Sequence, residues 1–196
     1  CADRYLAVLY DYLHEKMYGY HVLQADETPV LVNKDGRPAG SKSYMWVYRT
    51  GRMYADRQIV LYEYQRTRNA SHPREFLRDF SGVCVTDGYQ VYHTIEGGRE
   101  DLRIAGCWSH ARRRFDEAVK ALPKAKQKDS RAYLALTMIQ SIYREEKQLK
   151  ELPAEERRNR RQLSVRPLVE AYFTWVRENL PKVPQKSKTW EGFNYS

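Results

Sequence analysis

The sequence predicts an α/β protein built on a mixed sheet. Aromatic and β-branched segments separated by short loops fill Val22 to Tyr64, as in an antiparallel meander. Short apolar strands then alternate with helical stretches from Ser71 to Leu122. From Lys124 onward only helical periodicity remains, which marks an appended helical part.

Taken in order, Ala2, Leu6, Leu9, Leu13 and Met17 recur at three- and four-residue steps and predict an entry helix that packs by this face and ends at Gly19. Val22 to Val32 reads as a largely buried strand. A loop over 33–41, carrying Gly36, Pro38 and Gly40, breaks it. Strands at about Tyr44 to Arg49 and Gln58 to Tyr64 complete the meander. Ser71 is placed as the cap of a helix with Pro73 in its first turn and Phe76, Leu77 and Phe80 on its apolar side, and Gly82 permits the exit. Val83-Cys84-Val85 fits a central strand covered on both faces. Leu102 to Cys107 is a further strand, followed by a basic helix from about Ser109 to Leu122 that Pro123 stops. Tyr133, Leu136, Ile139, Ile142 and Leu149 mark a long helix, and Leu168, Tyr172, Trp175 and Val176 mark another between Pro167 and Pro181, with the charged stretch 155–161 between them.

The formal charge of +9 favours a polyanionic partner over an acidic small molecule. Three cysteines, Cys1, Cys84 and Cys107, form no C-x-x-C pair, so neither a disulfide framework nor a four-cysteine zinc site is indicated, and a reducing cytosol fits. No apolar run is long enough for a spanning helix and no secretion signal opens the chain, so no membrane partner is expected. A start at Cys1 and an end at Ser196 without a terminating element read as a piece of a longer protein.

Asp26 and Asp87 each stand where an apolar run stops, Asp26 in Leu23-Gln24-Ala25-Asp26-Glu27-Thr28-Pro29 and Asp87 in Val85-Thr86-Asp87-Gly88. Carboxylates from neighbouring strands can share divalent cations, although aspartate is also a common turn former. Strand alternation sends Glu27 to the face opposite Asp26, and Gly88 allows close backbone approach to a ligand. Cys107 and His110 offer a thiol and an imidazole three residues apart. That is too few ligands for structural zinc, and a buried cysteine with a helix-capping histidine is favoured over a nucleophile and its base. His110 near the metal site, helping to position phosphate or a carboxylate, is a middle reading. Arg112, Arg113 and Arg114 cannot share one helical face, so some are available to phosphates and others pair internally.

The ordered motifs 25–29 (Ala-Asp-Glu-Thr-Pro), 71–77 (Ser-His-Pro-Arg-Glu-Phe-Leu), 86–89 (Thr-Asp-Gly-Tyr) and 105–115 (from Ala-Gly-Cys-Trp-Ser-His to Phe115) resemble the catalytic region of bacterial transposases of the insertion-sequence 66 family. The resemblance implies a ribonuclease H-like fold with an Asp, Asp, Glu triad that binds two Mg²⁺ or Mn²⁺ ions. Asp26 corresponds to the first carboxylate and Asp87 to the second, with Cys107 and His110 as an auxiliary element and Arg112 to Arg114 on DNA. It further implies cleavage and strand transfer on transposon ends and target DNA in a bacterial cytoplasm, with room for a homo-oligomer. The third carboxylate of the family stands in an Asp-Asn-x-x-Glu-Arg context that Glu170, Glu178 and Glu191 lack, so it is expected beyond Ser196, and the isolated fragment is expected to be inactive. The corresponding division is an entry helix over 1–20, a catalytic core over 21–125, a helical insertion over 126–181 and a linker over 182–196. The alternative is a non-catalytic nucleic-acid-binding or assembly module derived from such an enzyme.

Overall fold

The computed structural model describes residues 5–33, 36–51, 54 and 57–196; Cys1 and Ala2 lie outside them. The chain divides into two compact units, Cys1–Cys107 and Trp108–Ser196. The boundary of these units falls between Cys107 and Trp108, and the basic helix that follows packs within the second unit.

The first unit holds a five-stranded mixed sheet with helices against one face. Its strands are β1 (Val22–Leu31), β2 (Lys42–Thr50), β3 (Val60–Gln65), β4 (Gly82–Thr86) and β5 (Leu102–Gly106), and its helices are α1 (Ala7–Tyr18), α2 (Ser71–Phe76) and α3 (Gln90–Glu96). The order across the sheet is β3-β2-β1-β4-β5. β1, β2 and β3 form the expected antiparallel meander, whereas β4 lies parallel to both β1 and β5.

Strand alternation decides what is buried. Leu23 and Ala25 of β1, Trp46 and Tyr48 of β2, Leu61 of β3, Cys84 of β4 and Leu102 of β5 form one core with Met17 of α1, Phe76 of α2 and Tyr92 and Ile95 of α3. Burial of such side chains contributes roughly 1.5–3 kcal/mol apiece. The phenyl ring of Phe76 is central: it stacks on Tyr48 at 3.5 Å between centroids and on His14 at 4.0 Å. Val83 and Val85 are only half-buried, so β4 is fully covered on one face and not, as expected, on both.

Two local expectations are corrected. Leu6 and Leu9, placed on the buried face of the entry helix, are exposed; the inward stripe of α1 is Tyr10, Leu13, Met17 and Tyr18. Ser71 does not cap α2. Instead Asn69 Oδ1 accepts a hydrogen bond from the Ser71 N–H at 2.9 Å.

The second unit is helical: α4 (Trp108–Lys120), α5 (Lys124–Gln127), α6 (Arg131–Gln148), α7 (Ala154–Arg160), α8 (Arg166–Asn179) and α9 (Lys188–Tyr195), with a π-helical turn over Arg161–Val165. Its core unites Ala111, Phe115 and Ala118 of α4, Ala132, Ala135, Ile139 and Ile142 of α6, Tyr172 and Val176 of α8 and Phe193 of α9. The inward face of α6 thus begins with small alanines, and Tyr133 points largely to solvent. The charged stretch 155–161 is helical through Arg160. Residues 188–195, expected as linker, form a helix whose cap is Ser187 Oγ, accepting from the Trp190 N–H. Gly192 lies so close to Phe115 that a Cβ there would meet the ring at 2.7 Å. Among the described residues no helix is long and apolar enough to cross a membrane.

Candidate metal centre

Asp26 does not end a strand. β1 continues past it to Leu31 because β2 pairs along that whole length, with Asp26 opposite Val47. What stops near Asp26 is the other side of β1: its ladder with β4 runs from the Val22–Val83 pair to the Gln24–Val85 pair. From there on β1 has a neighbour on one side only, which is also where the missing N–H of Pro29 is tolerated.

The β1/β4 register pairs residues 61 positions apart (83 − 22 = 61), and the two aspartates are separated by the same interval (87 − 26 = 61). The ladder itself ends two residues short of the aspartates, at the Gln24–Val85 pair. Asp87 itself lies one residue beyond the end of β4.

Each aspartate commits one oxygen to a nearby backbone N–H. Asp26 Oδ1 accepts from Glu27 N and Asp87 Oδ1 accepts from Tyr89 N, both at 2.9 Å, the latter closing a local Asx turn. Asp26 is exposed and Asp87 half-buried. Asp87 Oδ2 stands 3.7 Å from a guanidinium nitrogen of Arg68. Hard, outward carboxylate oxygens of this kind suit Mg²⁺ or Mn²⁺. Among the described residues no group of three or more His, Cys, Asp or Glu is assembled to hold a metal ion.

Behind the aspartates lies a network that sequence reasoning passed over. Alternation turns Glu27 inward, and its side chain is fully buried. There it accepts hydrogen bonds from Arg68 Nε at 2.7 Å, from Arg68 Nη2, and from the Tyr92 hydroxyl at 3.0 Å. Burial pushes the Glu27 carboxyl above its ordinary range, Arg68 opposes this, and the nearby charge of Asp87 adds to the rise. Arg68 in turn lies over the Tyr89 ring at 3.7 Å, and the Tyr89 hydroxyl donates to the Arg68 carbonyl at 3.3 Å. The one signal for Glu27 in the sequence was an acid in the inward phase of an apolar strand. Arg68, 41 residues away, had none.

The remaining sequence candidates fall on either side of the unit boundary. Cys107 is half-buried just after β5, and His110 is half-buried in the first turn of α4. On α4, Arg112 and Arg113 are exposed, whereas Arg114 is half-buried with its guanidinium 4.9 Å over the Tyr195 ring. Arg114 is thus engaged within the helical unit, as the rule against three arginines on one face requires.

A family model described as transposase IS66 family matches residues 1–196. The chain belongs to this family. Similar curated proteins come from Sinorhizobium fredii (strain NBRC 101917 / NGR234). Uncharacterized protein y4qI is 29% identical over 97% of this chain and 36% of its own length. Uncharacterized protein y4jD is 31% identical over 56% of this chain and 22% of its own, and uncharacterized protein y4hP is 23% identical over 96% and 38%. The chain therefore spans between about a fifth and two fifths of the relatives it matches. No solved structure matches it.

Proposed function

We propose that the first unit is the ribonuclease H-like catalytic core of a DNA transposase, with Asp26 and Asp87 as two of its metal-binding carboxylates. The observation that supports this is the shared interval of 61: the parallel β1/β4 register, continued two residues past its last pair at Gln24–Val85, would bring the two aspartates level. A five-stranded mixed sheet flanked by helices supports the same reading.

In this reading Asp26 and Asp87 hold Mg²⁺ or Mn²⁺, which when bound supply Lewis-acid stabilisation to the attacking and leaving oxygens of a phosphodiester displacement. The backbone N–H groups of Glu27 and Tyr89 fix the rotation of each carboxylate beforehand, so little side-chain freedom is lost on engagement. Titration of the chain with Mn²⁺, followed by electron paramagnetic resonance, tests the assignment. Asp26→Asn and Asp87→Asn are each expected to weaken binding at least roughly tenfold, the scale of losing one charged ligand. Binding unchanged in both variants would leave the non-catalytic module.

DNA is the proposed substrate, and the exposed Arg112 and Arg113 of α4 are the proposed phosphate contacts. In a salt series of DNA-binding isotherms, Arg112→Ala and Arg113→Ala should each reduce the slope of log K against log salt by about 1, and Arg114→Ala should leave it unchanged. An equal effect at all three positions would contradict the split seen on α4.

A further inference from the structure

Arg68 stands beside a proposed metal ligand, Asp87, and beside Glu27, and its two carboxylate contacts are unequal. Toward Glu27 it makes two hydrogen bonds, both to Oε1 of a fully buried carboxylate whose other oxygen, Oε2, accepts from the Tyr92 hydroxyl. Toward Asp87 it offers only an ion-pair contact at 3.7 Å, beyond hydrogen-bond length. The Tyr89 ring backs the guanidinium, and the backbone N–H of the same Tyr89 holds Asp87 Oδ1. One short segment therefore aligns the cation and the carboxylate.

We propose that Arg68 is a resident counter-ion of the acidic site, a positioning residue anchored on Glu27 that neutralises Asp87 in the metal-free protein and yields it to an incoming divalent cation. The inference rests on the assignment of Asp87 as a metal ligand and deepens it. Arg68 contacts both Glu27 and Asp87, so one guanidinium serves two acids in the metal-free protein. The looser contact is the one given up on metal binding, because the Glu27 anchor survives the exchange. The guanidinium, about a third exposed, then has free N–H groups on its Asp87 side, where a phosphate oxygen of the substrate can be met.

Magnesium titration of the nitrogen-15-labelled chain by NMR tests this, reading the Arg68 Nε–H signal together with the backbone amides of Glu27 and Tyr89. The expected result is that Mg²⁺ moves all three along one binding curve, and that Asp87→Asn abolishes the response at Arg68. Glu27→Gln, by loosening the anchor and letting the guanidinium settle on Asp87, should weaken Mg²⁺ binding roughly fivefold, the scale of a partly exposed charge contact. That loss should vanish in a Glu27→Gln, Arg68→Gln background, whereas a simple through-space charge effect would persist there. Amides that respond while Arg68 Nε–H stays still would overturn the counter-ion role and leave the metal assignment standing. No response at either the amides or Arg68 would remove the metal assignment, and the counter-ion role with it.

Discussion

Gly82→Ala is expected to destabilise the first unit by about 3 kcal/mol or more, the range for a strained backbone position compounded by a backbone clash. Gly82 has φ +144°, a conformation that side chains disfavour, and a Cβ there would stand 2.4 Å from the His21 carbonyl oxygen and 3.0 Å from Phe80 Cζ. Retreat is blocked on both sides. The His21 carbonyl accepts the Val83 N–H at 2.9 Å, and the Gly82 N–H is tied to the Asp101 carbonyl at 2.8 Å. These bonds open the β1/β4 and β4/β5 ladders, so the residue that tolerates no side chain sits where the β1/β4 register is set. Urea unfolding followed through Trp46, the tryptophan of this unit, measures the loss. Gly19→Ala is the control, because its Cβ would meet only Lys16 O at 3.4 Å and its φ is −75°. Equal midpoints for the two variants would contradict the assignment.

Arg68→Ala is expected to cost about 2–3 kcal/mol near neutral pH. Stripping the partner from a buried ion pair costs about 3–5 kcal/mol, discounted here because Arg68 is about a third exposed. The sign of its pH dependence follows from Glu27. Burial already raises this carboxyl above its ordinary value of 4.5, and Arg68 is the leading influence holding it down, so the variant carries a larger rise. A carboxyl raised in the folded state binds its proton more tightly there than in the unfolded chain. Its contribution is therefore fully present below the ordinary value and is lost as pH rises through the folded one. The deficit of Arg68→Ala should accordingly shrink as denaturation is repeated at progressively more acid pH toward 4.5. A deficit that stays constant over that range would show that Glu27 is not the group left uncompensated.

Much of the sheet was legible because its determinants are local. Alternation along Leu23, Gln24, Ala25, Asp26 and Glu27 separates inward from outward residues and sets Glu27 on the face opposite Asp26. The end of the apolar run at Asp26 was misleading, since polar Thr28 and Pro29 remain in a strand that β2 holds by backbone pairing. Aliphatic counting also failed on α1. Leu6 and Leu9 stay outside while Tyr10, His14 and Tyr18 turn in, because Tyr18 and His14 bond the Phe76 carbonyl and His14 stacks on its ring. In the helical unit, Ala132 and Ala135 give a weak periodic signal yet line the core, where small residues let helices approach. The Glu27–Arg68–Tyr92 network joins residues distant in sequence, and no spacing announces such a partnership.

Asp26 and Asp87 are proposed to serve one divalent ion. Crystals of the chain soaked in Mn²⁺ and measured at the manganese absorption edge test it most directly. The expected result is an anomalous peak within coordination distance of a carboxylate oxygen from both residues. Manganese bound elsewhere, with both aspartates still turned only to the Glu27 and Tyr89 backbone, would contradict it.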